Sequence, residues 1–172
     1  MSVAAVTPAL RALTAADRAR VEAITSAVGL FRDDEVLVAL EVFDAATAGS
    51  ADYEAAGASV DGLLAGWICW GPTPCTLGTY DCYWLAVDPL AQKAGVGTAL
   101  VREMEHRLAG RARLIVVETA GRADYAGTRA FYEARGYRAV ACIPDFYAPG
   151  DDQIAYVRTP STFAQRSGGR VA

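Results

Sequence analysis

The chain has 172 residues, 53% of them hydrophobic, with a net charge of −4. That is enough for one domain burying about 70% of its unfolded surface, and too acidic for a general nucleic-acid binder, which needs a basic face. No stretch approaches the ~20 apolar residues required to cross a bilayer, so no membrane partner is expected. In chain order, Thr14 and Asp17 form a capping-box pattern ahead of "AADRARVEAITSAVG", predicting a helix with Val21, Ile24 and Val28 on one face and Gly29 as its stop. A second helix is predicted after Asp33, through "DEVLVALEVFDAAT", with Val36, Leu40 and Phe43 on one stripe. "DYEAAGASV" and "LLAGWICWG" flank Asp61-Gly62, a strong hairpin dipeptide. The turn-rich "GPTPCTLG" leads to a third strand, "TYDCYWLAV". A helix opened by Gly95 and Gly97 follows, with Val96, Leu100, Met104 and Leu108 at four-residue spacing and Gly110 as its stop. "RLIVVET" reads as a buried strand, and "YAGTRAFYEARG" as a helix with Asp124 as N-cap and Gly136 at its end. Two closing strands, "YRAVACI" and "QIAYVR", are joined by a predicted loop, "PDFYAPGDD".

This order predicts a mixed, mostly antiparallel central sheet of about six to seven strands with helices on both faces. One domain is expected over 1–159, with a flexible tail over 160–172. "MSVAAVTPALRAL" lacks the basic start and continuous apolar run of an export signal, so a cytoplasmic location is expected. Cys69, Cys75, Cys82 and Cys142 have no CxxC spacing. Three of them fall in apolar or strand-like stretches, so buried free thiols are expected. With His106 as the single histidine, no metal site is expected.

The glycines at the entrance of "QKAGVGTALVREMEHRL" suit either close packing or an anion, since N–H groups at a helix start have no intrahelical partner. A Walker loop fails, because Gly97 is followed by Thr98 and Lys93 precedes the glycines. A dinucleotide fingerprint fails too, because Leu100 stands where its third glycine belongs.

The whole pattern resembles the GNAT superfamily of acyl-CoA-dependent N-acyltransferases. The residues carrying it are Val87, Pro89, Gln92, Gly95 and Gly97 in "LAVDPLAQKAGVGTAL", then Tyr132, Gly136 and Tyr137 in "FYEARGY". The resemblance spans about Leu63 to Arg158 and is looser upstream, where the family places substrate recognition. It implies that acetyl-CoA binds with its pyrophosphate on the backbone of Gln92, Lys93, Ala94, Gly95, Val96, Gly97 and Thr98, and its pantetheine along Leu85, Ala86 and Val87. Two departures stand out. Lys93 occupies a position where the family more often has glycine. Tyr125 replaces a frequent asparagine seven residues before Tyr132, a spacing of two helical turns that sets both rings facing one way and suits Tyr125 to packing on the pantetheine. The resemblance implies that Tyr132 protonates the leaving thiolate. Asp81, six residues before Val87, matches a position where some members carry a catalytic glutamate; Glu35, Glu41 and Glu118 are alternatives. The implied activity is acetyl transfer to a primary amine, cationic substrates being mildly favoured by the acidic chain. A homodimer stays open. The competing reading is a catalytically silent acyl-CoA-binding or regulatory domain.

Overall fold

A computed structural model describes residues 7–160. The expected tail, from Ser161 on, lies outside them. Among the described residues the elements run β1 (Ala9–Arg11), α1 (Arg18–Ala27), α2 (Asp33–Thr47), β2 (Glu54–Val60), β3 (Leu63–Pro72), β4 (Thr79–Val87), α3 (Val96–Leu108), β5 (Leu114–Ala120), α4 (Ala126–Glu133), β6 (Arg138–Ala148) and β7 (Asp151–Arg158). The strands form one sheet in the order β1-β2-β3-β4-β5-β7-β6. The β4–β5 pair is parallel, and β1–β2, β2–β3, β5–β7 and β6–β7 are antiparallel. The mixed α/β sheet is thus the architecture expected.

The chain divides into two compact units. One holds the chain through Gly71 together with Tyr83–Arg107, and the other holds Pro72–Cys82 and the chain from Leu108 on. In the first unit, β3 alternates its side chains between two layers of helix. Trp67 meets Phe43 of α2 edge-on at 5.9 Å, and its indole N–H donates to Thr25 of α1 at 3.0 Å. Its neighbour Gly66 lies against α3: a Cβ there would stand 2.8 Å from Val96 and 3.2 Å from Leu100. Val21, Ile24, Leu40, Phe43 and Trp67 form the dry centre of the α1–α2 layer, and each exposes 2% or less of its surface. The predicted capping box is present, with the Thr14 N–H donating to Asp17 at 2.9 Å.

In the second unit, α4 packs on one face of β4, β5 and β7. Tyr156, paired with Val117, donates its hydroxyl to Glu133 of α4 at 2.9 Å, and the Arg158 guanidinium caps the Arg135 carbonyl at the helix end.

One strand was not foreseen and three expectations need correction. β1 is a strand of only three residues, all exposed, too short for a hydrophobic rhythm. The predicted loop "PDFYAPGDD" is mostly strand: β6 runs to Ala148 and β7 begins at Asp151. The ladder absorbs Pro144 and Asp145 by a register shift between Ile143 and Ala148, Asp145 standing at φ +53°, as bulges at sheet edges do. Asp124 is not the helix cap, because a short turn over Ala123–Tyr125 precedes α4 and Tyr125 takes the cap position. All four cysteines are free, but only Cys69 and Cys82 are buried; Cys142 is exposed because β6 is an outer strand of the sheet.

Candidate active site

The first unit carries the glycine turn. β4 ends at Val87, and Asp88 redirects the chain. The Asp88 N–H donates to the Ala65 carbonyl at 2.8 Å, and its carboxylate accepts the Leu90 N–H at 2.9 Å. A short turn over Pro89–Ala91 follows. Lys93 and Gly95 then take left-handed backbone, at φ +69° and +80°. Glycine adopts that conformation freely, whereas lysine carries a steric cost there. This is the physical reason a glycine suits position 93. The Ala99 N–H donates to the Gly95 carbonyl at 2.9 Å, so the helix ladder starts on the glycine. The preceding N–H groups stand at the positive end of the helix dipole, a setting that favours an anion. Gln92, Lys93 and Gly95 are exposed and Val96 is buried, so the turn is anchored from below and open above.

The second unit carries the candidate acid and base. The parallel ladder between β4 and β5 runs from Thr79/Leu114 to Cys82/Val117 and ends there, although β4 itself continues to Val87. Within the ladder Asp81 pairs with Val116 and Cys82 with Val117, so the two adjacent side chains point to opposite faces. Cys82 lies on the α4 face and exposes 9% of its surface; Tyr132 exposes 3%. The Tyr132 hydroxyl and the Cys82 thiol are near enough for each to bear on the other's proton. The ring is wedged edge-on between Phe131 and Tyr137, at 5.2 and 5.4 Å. Burial pushes the Tyr132 hydroxyl well above the ordinary tyrosine range and the Cys82 thiol up to about 12. Both groups are neutral at pH 7.

Asp81 faces the other way, with Val116 and Glu118. It accepts the Thr73 hydroxyl at 2.7 Å. Desolvation, and then the charge of Asp81, push the Glu118 carboxyl up. The second unit therefore has a neutral donor on one face and a pair of carboxylates on the other. Tyr125 is half-buried, with the Arg122 guanidinium 4.8 Å from its ring centre. It stands before α4, so the two-turn helical spacing to Tyr132 is not realised. Of the alternative bases, Glu35 closes the entrance of α2 by accepting the Arg32 N–H at 2.8 Å, and Glu41 is exposed on that helix. Among the described residues no group of three or more His, Cys, Asp or Glu is arranged to hold a metal ion, and no helix is long and apolar enough to cross a membrane.

The family model of the GNAT acetyltransferase domain matches residues 51–139. A solved structure from Desulfovibrio desulfuricans, assigned to the GNAT family of acetyltransferases, is 38% identical, with a TM-score of 0.85 over 90% of this chain and 100% of that one. The chain belongs to the GNAT acetyltransferase family. GNAT folds at lower identity superpose as well. The ribosomal-protein-S18-alanine N-acetyltransferase of Escherichia coli is 20% identical, with a TM-score of 0.73 over 90% of this chain and 95% of that one. A Salmonella typhimurium protein solved with its cofactor acetyl-CoA is 16% identical, with a TM-score of 0.72 over 90% and 95%. A search of curated proteins finds no match. Two partners of the candidate site residues were not picked out from sequence. Asp88 has a visible signal, an aspartate before Pro89 at a strand end. Cys82 has only its place beside Asp81.

Proposed function

We propose that this acetyltransferase moves the acetyl group of acetyl-CoA to a primary amine, by direct attack of the amine nitrogen on the thioester. The observation that carries this reading is the turn over residues 92–98, with two left-handed residues leading to an open helix start. Its N–H groups suit a pyrophosphate, and Gly95 has open space where a Cβ would stand. The end of β4, at residues 85–87, supplies backbone groups for the pantetheine arm. In the second unit the two roles meet past the end of the parallel ladder at Cys82/Val117, since within the ladder the sheet separates Asp81 from Tyr132. An amine approaching on the Asp81 face loses its proton there, to Asp81 directly or through water. The leaving thiolate receives a hydrogen bond or proton from Tyr132 on the other face. A buried neutral tyrosine does this without the desolvation cost of a charged acid. The carboxylates favour a cationic amine, in keeping with the acidic chain.

The test is calorimetry with acetyl-CoA, followed by release of CoA thiol with a panel of small amines and peptide N-termini. Binding and amine-dependent thiol release are expected. Gly97→Asp, which sets a carboxylate against the pyrophosphate, should lose both while staying folded. Binding without thiol release from any amine would leave a silent acyl-CoA-binding domain instead.

A further inference from the structure

The turn that receives the cofactor in the proposed function is held from a distance by α1. Arg20 of α1 reaches two groups. Its Nε–H donates to the Leu64 carbonyl of β3 at 2.9 Å, and its terminal amino group donates to Asp88 Oδ2 at 2.5 Å. The other Asp88 oxygen, Oδ1, accepts the Leu90 N–H, and the Asp88 carbonyl accepts the Ala91 N–H at 2.8 Å. The Asp88 side chain is only 10% exposed. One guanidinium thus fixes, against the β3 backbone, the rotamer of the carboxylate that caps the chain leading into Lys93 and Gly95. Planar donors on a carboxylate and a carbonyl together leave little freedom of angle.

We infer that Arg20 is a positioning residue for the acyl-CoA turn, acting through Asp88. The inference rests on the reading of residues 92–98 as the cofactor turn. Two further points bear on it. Asp88 is held below the ordinary carboxylate range, first by the Leu90 N–H and then by Arg20, as the same contacts require, so its carboxylate stays charged at neutral pH. The neighbouring Arg18 offers a contrast, pairing with Asp44 at 3.0 Å and making no contact with the turn. A helix in the region the family uses for substrate recognition is thereby tied mechanically to the loop that orients the donor.

The experiment compares wild type, Arg20→Gln, Asp88→Asn, the double variant and Arg18→Gln as a control of equal charge change. Amide exchange over residues 90–94 in the free protein reads the clamp without any ligand, and it should quicken in Arg20→Gln and not in Arg18→Gln. Acetyl-CoA affinity, and KM for acetyl-CoA, should worsen by about tenfold in Arg20→Gln, with kcat nearly kept. The double variant should be no worse than the poorer single, because the two groups act as one unit. Unchanged exchange over residues 90–94 overturns the inference whatever the turn binds. Quickened exchange with unchanged affinity, in a wild type that binds acetyl-CoA, overturns it as well, as does a fall in kcat alone. A wild type that fails to bind acetyl-CoA sinks the functional reading, and the exchange comparison still decides whether Arg20 orders the turn. If Arg20→Gln does not fold, Arg20→Lys, which cannot serve both the Leu64 carbonyl and Asp88, replaces it in the same comparison.

Discussion

Asp81 and Cys82 are adjacent in β4 and face opposite sides of the second unit's sheet, Asp81 with Glu118 and Cys82 with Tyr132. Under the proposed function the two roles meet only past the end of the parallel ladder at Cys82/Val117, because within it the sheet separates the two faces. The amine and the thiolate are separate substituents of the carbonyl carbon, and each needs its own proton partner.

Tyr132→Phe keeps the stacked ring and removes the hydroxyl. Turnover should fall by about 10²-fold where proton donation limits, with acetyl-CoA affinity unchanged. The high pKa of the buried hydroxyl places any alkaline loss of its proton above the ordinary tyrosine range. A Tyr132→Phe enzyme with normal turnover, in conditions where chemistry is rate-limiting, would reduce the residue to packing.

Asp81→Asn removes a charge beside Glu118. The Glu118 pKa should drop back toward the ordinary carboxyl value, read by NMR titration of its side chain. If Asp81 accepts the amine proton, the acid limb of the rate profile shifts or vanishes while cofactor binding persists. A profile that keeps its limb and its height moves the role to Glu118, which Glu118→Gln then tests.

Lys93→Gly separates strain from charge. The left-handed backbone at φ +69° costs lysine energy that glycine does not carry. The variant should therefore gain about 0.5–1 kcal/mol of stability, the larger freedom of unfolded glycine being already subtracted. If the ammonium helps to hold a phosphate, acetyl-CoA affinity falls in the same variant. Denaturant melts and calorimetry give the two effects separately.

Gly66→Ala presses a methyl to 2.8 Å from Val96 and 3.0 Å from the Ala86 carbonyl. A shift of the α3 start should cost about 1–3 kcal/mol and weaken acetyl-CoA through the displaced turn. Thermal unfolding and binding measured together check this. Wild-type stability would mean that the helix entrance yields freely.

Stability at low pH should carry a signature of Asp17. Its hydrogen bond from Arg11, at 2.6 Å, holds the carboxyl down at about 2. A depressed carboxyl pKa stabilises the fold above the unfolded value of about 3.9, and that contribution disappears as pH falls through the folded value. Wild type should therefore lose stability more steeply than Asp17→Asn between about pH 4 and 2, as read by urea melts.

How legible the site was depended on whether its cause was local. The glycine turn could be read from sequence because Gly95 and the helix behind it use short-range backbone chemistry. The opposition of Asp81 and Cys82 was available too, since a strand alternates with period two, but which face α4 covers is a tertiary fact carried by Tyr156 and Glu133. The Arg20–Asp88 clamp joins residues far apart in the chain, and no local pattern announces it. β6 was cut short because Pro144 and Asp145 are turn-forming residues that an edge strand tolerates as a bulge. Tyr125 was given a helical position because the 3₁₀ turn before α4 uses the same residue types as a helical first turn.

Lys93 is the only lysine in the chain, and it stands exposed in the turn. Reagents selective for side-chain amines therefore have one address on this protein. A fluorophore or acyl group placed there reports on the turn alone, and a bound donor that covers the turn would shield it. If the acceptor is a protein amine, its acetylation can likewise be followed with little background, because the catalyst offers a single ε-amine of its own.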